Sequence, residues 1–229
     1  MSYKPLALAL TLTLALIPLT VSAGEFVDLP AEKGGKSSMK VKFVRYTGGT
    51  NGHIVVDIKN AGKAEARFQA QGLYFVPNGS PESAPQRLGA AGPFQTQEQG
   101  KWQEKEKLSL KAGESRRVKL QVFCLDSHRS SPGSDQGFSV ARDRLPKDLR
   151  KTISSGADEI FVKNGKKMPA AKGAIQSHIW STRNKKWIKL QGERKQEKNS
   201  EVKSQRQGLR NRIQRRINVE IQQQVQEIR

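Results

Sequence analysis

Short runs in which apolar and polar residues alternate dominate the first half of the chain. Residues 39–46 and 53–59 follow this period-two pattern, and further runs of strand-forming residues lie at 67–76, 107–110 and 115–123. Turns rich in Gly and Asn separate them. In the last run, Val118, Leu120 and Val122 face the predicted core. The pattern predicts a mainly β fold with an immunoglobulin-like antiparallel β-sandwich over residues 24–123.

The pattern changes to helical spacing in residues 124–191, which we expect to form a small α+β segment. One helix is predicted to begin near Pro146, and a second over 173–180 is predicted to bury Ile175 and Ile179. The first helix carries its apolar residues at four-residue steps, at Leu145, Leu149 and Ile153.

Residues 192–229 contain no Pro and no aromatic residue, and they predict one long amphipathic C-terminal helix. Its apolar stripe consists of Leu209, Ile213, Ile217, Ile221, Val225 and Ile228. Its basic half carries Arg206, Arg210, Arg212, Arg215 and Arg216 as candidate polyanion-binding residues. Two interpretations stay open: a solvated helix that docks on the domain or pairs as a coiled coil, and a basic helix that binds an anionic envelope or other polyanions.

Charge and the N-terminus decide which partners these basic residues suit. The 229 residues include 41 Lys and Arg against 21 Asp and Glu, a formal net charge of +20, which suits polyanions. Residues 1–23 read as a secretory signal peptide: Lys4, an apolar run over 6–19, and small residues up to a cleavage site after Ala23. We therefore expect a secreted, periplasmic or cell-surface protein of bacterial type with no transmembrane span after cleavage. Intracellular nucleic acid is then not an expected partner.

The chain contains a single cysteine, which excludes a disulfide framework. A lone cysteine in an exported protein needs another explanation, so its surroundings are informative. It lies in Phe123-Cys124-Leu125-Asp126, and further on the chain reads Gln176-Ser177-His178-Ile179-Trp180. These two stretches resemble those of the bacterial surface thioester domains, an aromatic-Cys-Ile/Leu-Asp stretch followed by Thr-Gln-x-Ala-Ile-Trp.

The resemblance implies an internal thioester, in which the Cys124 sulfur is joined to the side-chain carbonyl of Gln176 with loss of ammonia. Trp180 would cover the bond against water, and an amine of a partner protein would open it. This sequence departs from the family's pattern at Ile175, where the family has Thr, and at His178, where it has Ala.

Other interpretations of the same residues stay open. Cys124 with His178 or His128 as base, and Asp126 orienting the imidazole, would make a Cys–His hydrolase or transferase. Cys124 and the two histidines also offer ligands for zinc or copper, but we predict no metal and no cofactor. In the simplest interpretation Cys124 is a buried thiol at a strand end, and Gln176 and Trp180 are helix-packing residues.

The sequence therefore favours an exported binding or adhesion protein over an enzyme. Its expected partner is a protein surface ligand or an anionic envelope polymer, captured through the Cys124–Gln176 pair. The alternative is a non-catalytic envelope or matrix module whose basic helix binds polyanions or self-associates. A Cys–His hydrolase is third.

Overall fold

The computed structural model of the protein describes residues 25–32, 37–49, 52–105, 107–162 and 169–227. The predicted signal peptide, residues 1–23, lies outside these residues. Within the described residues, ten strands precede three helices. In chain order the elements are β1 (Val27–Asp28), β2 (Met39–Tyr46), β3 (His53–Asn60), β4 (Ala66–Phe68), β5 (Tyr74–Pro77), β6 (Leu88–Glu98), β7 (Lys101–Lys105), β8 (Leu108–Leu110), β9 (Ser115–Cys124), β10 (Phe138–Val140), α1 (Lys147–Val162), α2 (Pro169–Lys186) and α3 (Glu197–Glu227).

Eight of the strands form one antiparallel sheet that curves into a nearly closed barrel. The sheet runs in the order β1-β2-β3-β9-β6-β5-β10, with β7 paired to β6, and β4 and β8 form a separate two-stranded sheet. Aromatic rings of β2 and β10 meet across the gap, since Phe43 and Tyr46 both contact Phe138 at 5.9 and 5.6 Å between ring centroids. The predicted mainly β, antiparallel fold is confirmed, whereas the immunoglobulin-like sandwich is not.

The alternation along β9 separates two hydrophobic cores. Val118, Leu120 and Val122 point into the core enclosed by the curved sheet, as predicted. Phe123 and Leu125 belong to a second core, which lies between the other face of the sheet and the helices. Cys124 comes between Phe123 and Leu125 in the chain, so its side chain points to the opposite face of the sheet and packs against the enclosed core.

The helical layer is formed by α1 and α2, and the predicted apolar positions hold it on the sheet. Leu145, Leu149 and Ile153 are buried in the second core together with Ile175 and Ile179 of α2. The two helices approach closely at Gly156, where an added Cβ would lie 2.5 Å from the side chain of Ile175. Both predicted helices are present, and both extend beyond the predicted residues.

The long C-terminal helix is also present, as α3, and it leaves the domain after its first turns. Glu197 and Glu201 are buried, whereas Leu209, Ile213 and Ile217 are 53%, 50% and 42% exposed. The side chains of Ile221 and Val225, and all of Ile228, lie outside the described part of the chain. The helices among the described residues include none with an apolar stretch of the length that crosses a membrane.

Candidate functional site

The structure brings the two predicted motif residues Cys124 and Gln176 into contact. The Gln176 Oε1 accepts a hydrogen bond from the Cys124 backbone N–H at 2.9 Å. The Gln176 Nε2 donates to the Cys124 backbone carbonyl at 2.6 Å. These two peptide groups flank the Cα that carries the thiol, so the carboxamide of Gln176 is fixed beside the cysteine.

The contact arises because the end of β9 has one free edge. On one side β9 pairs with β6 up to Cys124, opposite Leu88. On the other side the pairing with β3 ends at Gln121. The side chain of Gln176 supplies the donor and acceptor that a neighbouring strand would otherwise offer to Cys124. The helical spacing of Ile175, Gln176 and Ile179 turns this side chain toward the sheet.

The electrostatic surroundings keep the Cys124 thiol protonated near neutral pH. The pKa of Cys124 is raised to about 11, mainly by burial and then by the negative charge of Asp126, while the positive charge of Lys172 opposes both. Since the thiolate is the nucleophilic form, a reaction at this sulfur needs a group that accepts its proton.

Asp126 does not act on a histidine beside Cys124 but lies in a buried cluster of ion pairs. Its Oδ2 accepts hydrogen bonds from the Arg87 backbone N–H at 2.8 Å and from Arg87 Nε at 2.9 Å. Its Oδ1 lies 3.1 Å from Nη1 of Arg183. Burial alone would raise the pKa of Asp126, but the bonds from Arg87 outweigh it and the pKa is lowered. All three side chains are fully buried, so Asp126 is an ionised partner of two arginines.

The same cluster holds the start of α3. The Glu197 Oε1 accepts from Arg87 Nη2 at 2.6 Å and from Arg129 Nε at 2.9 Å. His128 lies between two carboxylates, with Nε2 2.8 Å from Glu197 Oε1 and Nδ1 2.7 Å from Glu201 Oε2. Both ring nitrogens therefore donate, which requires the imidazolium form.

The pKa values of this cluster agree with its geometry. Burial alone would lower the pKa of His128, but the hydrogen bonds to Glu197 and Glu201 outweigh it and raise the pKa. Burial alone would raise the pKa of Glu197, but its bonds with His128 and Arg129 outweigh it and hold the pKa far below its usual range. We call Arg87, Asp126, His128, Arg129, Arg183, Glu197 and Glu201 the buried ion cluster.

The arrangement does not favour the hydrolase or the zinc interpretation. His128 is engaged by two carboxylates, His178 is exposed on α2, and neither hydrogen-bonds Cys124 within the described residues. One group of potential metal ligands in the described part of the chain consists of Asp126, His128 and Glu197. Arginines already pair with both of its carboxylates, so a cation would meet guanidinium groups instead of free oxygens.

The remaining predicted site residues lie on α2 and α3. Trp180 follows Gln176 by one turn of α2 and is half-buried, and its indole N–H has no hydrogen-bond partner within the described residues. The predicted polyanion-binding residues Arg206, Arg210, Arg212 and Arg215 are all exposed on α3. The side chain of Arg216 lies outside the described part of the chain.

Sequence reasoning missed the partners that surround these motifs. Arg183 and Lys172 are buried on α2, and their spacing from Ile175 and Ile179 would have placed them on the buried helix face. Arg87, Arg129 and Glu197 carry no comparable signal, because their partners are distant in the sequence. No protein-family model, curated protein or solved structure matches the chain.

Proposed function

We propose that this protein is an exported binding or adhesion protein that captures a partner amine through an internal thioester between Cys124 and Gln176. The observation that carries the proposal is the pair of hydrogen bonds, 2.9 and 2.6 Å long, that holds the Gln176 carboxamide against the Cys124 peptide groups. Fixing the electrophile beside the residue that carries the nucleophile removes part of the entropic cost of the reaction. The predicted immunoglobulin-like arrangement of the strands and the extracytoplasmic location belong to the same proposal.

The chemistry balances without a cofactor. The Cys124 thiol attacks the side-chain carbonyl carbon of Gln176, the C–N bond breaks, and the amide nitrogen leaves as ammonia with the thiol proton. An amine of the partner then attacks the thioester carbonyl, forms an amide at Gln176 and returns the thiol to Cys124. The half-buried position of Cys124 supports this proposal, since a thioester must be kept from bulk water.

Intact mass spectrometry of the mature protein tests this proposal. We expect the wild-type chain to be lighter by one ammonia and to lack a titratable thiol. Cys124→Ala and Gln176→Ala should each abolish the loss of ammonia, whereas Gln207→Ala, which changes an exposed glutamine of α3, should retain it. Methylamine should add to Gln176 and free the thiol. A wild-type chain of unmodified mass with a free Cys124 would overturn the proposal.

A second candidate function is supported by the exposure of α3: a non-catalytic envelope or matrix module whose helix binds a polyanion. Arg206 precedes Leu209, Ile213 and Ile217 by three, seven and eleven residues, so it shares their helix face. An arginine within the apolar stripe disfavours a coiled-coil seam and favours an anionic partner. Burial of Glu197 and Glu201 leaves the exposed part of the helix basic.

Salt-dependent binding to heparin, used as a model polyanion, tests the second candidate. We expect weaker binding as salt increases, and a smaller salt dependence when Arg206, Arg210, Arg212 and Arg215 are replaced together by Gln. Replacing Arg45, Lys59, Arg67 and Arg116, four exposed basic residues of the strands, with Gln is the control. Equal losses in the two variants would assign the binding to net charge and not to α3.

A further inference from the structure

Exposed apolar side chains concentrate on α3. In the part of the chain that the structure describes, the large apolar residues that are exposed all lie on this helix, apart from Val27. Val202, Leu209, Ile213 and Ile217 follow one another at steps of seven, four and four residues, so they share one side of the helix. Their side chains are between 41% and 53% exposed. We call these four residues the exposed apolar face.

The same stretch of α3 is strongly basic. Residues 202–219 contain six Lys and Arg and no Asp or Glu. Arg210 and Arg212 are exposed on either side of Ile213, about 60° and 100° around the helix axis from it. At 1.5 Å per residue, these 18 residues extend about 27 Å. The stretch is therefore apolar along the centre of one side and basic at both edges of that side.

Charge and apolar surface together decide which partner fits this stretch. A second copy of the helix paired in register would bring six positive charges against six, with no acidic residue in the stretch to balance them. A soluble polyanion would pair with the arginines but would leave the exposed apolar face in water. The surface of an anionic lipid bilayer offers both phosphates for the cations and an acyl boundary for the apolar side chains.

We propose that residues 202–219 bind the surface of an anionic lipid bilayer, an inference that rests on the second candidate function and names its partner. The helix lies in the plane of the interface, with the exposed apolar face in the boundary between headgroups and acyl chains. Arg210 and Arg212 bind lipid phosphates at its two edges. Arg206 lies within the apolar face, and its long aliphatic stem lets the guanidinium reach the phosphates from there.

Sedimentation of the mature chain with lipid vesicles tests this binding; the mature chain is used because the apolar residues 6–19 would themselves bind lipid. We expect binding to vesicles of phosphatidylcholine and phosphatidylglycerol in equal parts, and much weaker binding at high salt or to phosphatidylcholine alone.

Replacing Leu209, Ile213 and Ile217 together with Gln should weaken binding to the anionic vesicles by at least about tenfold, the effect of withdrawing about two CH₂ groups from the acyl boundary. Val219→Gln is the matched control and should bind as the wild type does. Val219 is 55% exposed but lies about 200° around the helix from Ile217. Far-ultraviolet circular dichroism verifies that each variant is folded. If the triple variant does not fold, Ile213→Gln alone carries the comparison.

Heparin binding separates this inference from the function on which it rests. The triple variant keeps every charge, so it should bind heparin as the wild type does. A wild-type chain that binds heparin but not anionic vesicles, or a triple variant that binds these vesicles as the wild type does, would overturn the inference and leave the second candidate function intact. A chain that binds neither would overturn both. Absence of vesicle binding together with a dimer that the triple variant dissociates would assign the exposed apolar face to a second copy instead.

Discussion

Replacing Glu197 with Gln tests whether charge holds α3 on the domain. Glu197 begins α3, its side chain is fully buried, and its Oε1 lies 2.6 Å from Arg87 Nη2 and 2.8 Å from His128 Nε2. Glutamine has nearly the same shape, so the substitution changes charge with little change in packing. It also places an NH₂ group among donors that need an acceptor.

The expected loss follows from the charges of the buried ion cluster. In the wild type, three arginines and the protonated His128 face three carboxylates, and Glu197→Gln leaves four positive charges against two negative ones. Removing one partner of a buried ion pair costs about 3–5 kcal/mol. For a domain of this size, each kcal/mol lowers Tm by about 2–4 °C, so we expect a Tm lower by roughly 6–20 °C.

Urea denaturation followed by far-ultraviolet circular dichroism measures the loss in the free energy of unfolding. The matched control is Glu98→Gln, because Glu98 is 42% exposed and pairs with Lys105 at 3.2 Å on the surface. We expect this control to lose less than about 1 kcal/mol. If Glu197→Gln lost no more than Glu98→Gln, the charge of Glu197 would not be what anchors α3.

Three further predictions concern pH, helix packing and the thiol. Protonated His128 stabilises the fold fully below its ordinary pKa of 6.5, and this stabilisation is lost as pH rises through the raised pKa. In His128→Gln the urea midpoint should therefore decline less at alkaline pH than in the wild type. An unchanged decline would contradict this prediction. Gly156→Ala should destabilise the fold by about 1–3 kcal/mol through a clash between α1 and α2, whereas Gly173→Ala, with nothing within 4 Å, should stabilise it by about 0.5–1 kcal/mol, both measured by urea denaturation. The third prediction uses Gln176→Met, which cannot form the thioester. At pH 8, iodoacetamide should alkylate Cys124 about a hundredfold more slowly in the native variant than in the urea-unfolded variant, because burial raises the pKa of the thiol from 9.0 to about 11. Equal rates would refute this.

The alternation of apolar and polar residues predicted the strands that have one buried and one solvent-facing side. It did not predict strands whose sequence is determined by packing against other elements. β2, β3 and β9 were predicted because apolar and polar residues alternate along them. β6 was missed, because its residues 89–92 are all Gly or Ala and show no alternation of apolar and polar side chains. Gly89 in this strand lies against the helical layer, where an added Cβ would be 2.9 Å from the side chains of Ile153 and Leu125. A small residue is therefore needed here to let α1 pack on the sheet. This requirement comes from the tertiary structure and leaves no local pattern in the sequence.

Only the residues that lie in short local motifs could be predicted for the site. Cys124 and Gln176 were identified as a pair from two short stretches, and the structure places the carboxamide against the cysteine. The buried ion cluster was not predicted, because Arg87, Asp126 and Glu197 are far apart in sequence and each resembles a surface charge when considered alone. Long-range pairing of buried charges leaves no periodic pattern in the chain.

Because α3 is held only at its first turns, by buried Glu197 and Glu201 in the described part of the chain, a small rotation there would move its far end by a large distance. About 26 residues follow Glu201, the last buried side chain in the described part of α3, and at 1.5 Å per residue they extend about 39 Å. A tilt of about ten degrees at the anchor would move the far end by about 7 Å over this length. His128 and Arg129, which grip the anchor, follow Cys124 by only four and five residues. A displacement of the helix end would therefore be transmitted to the segment that carries the thiol.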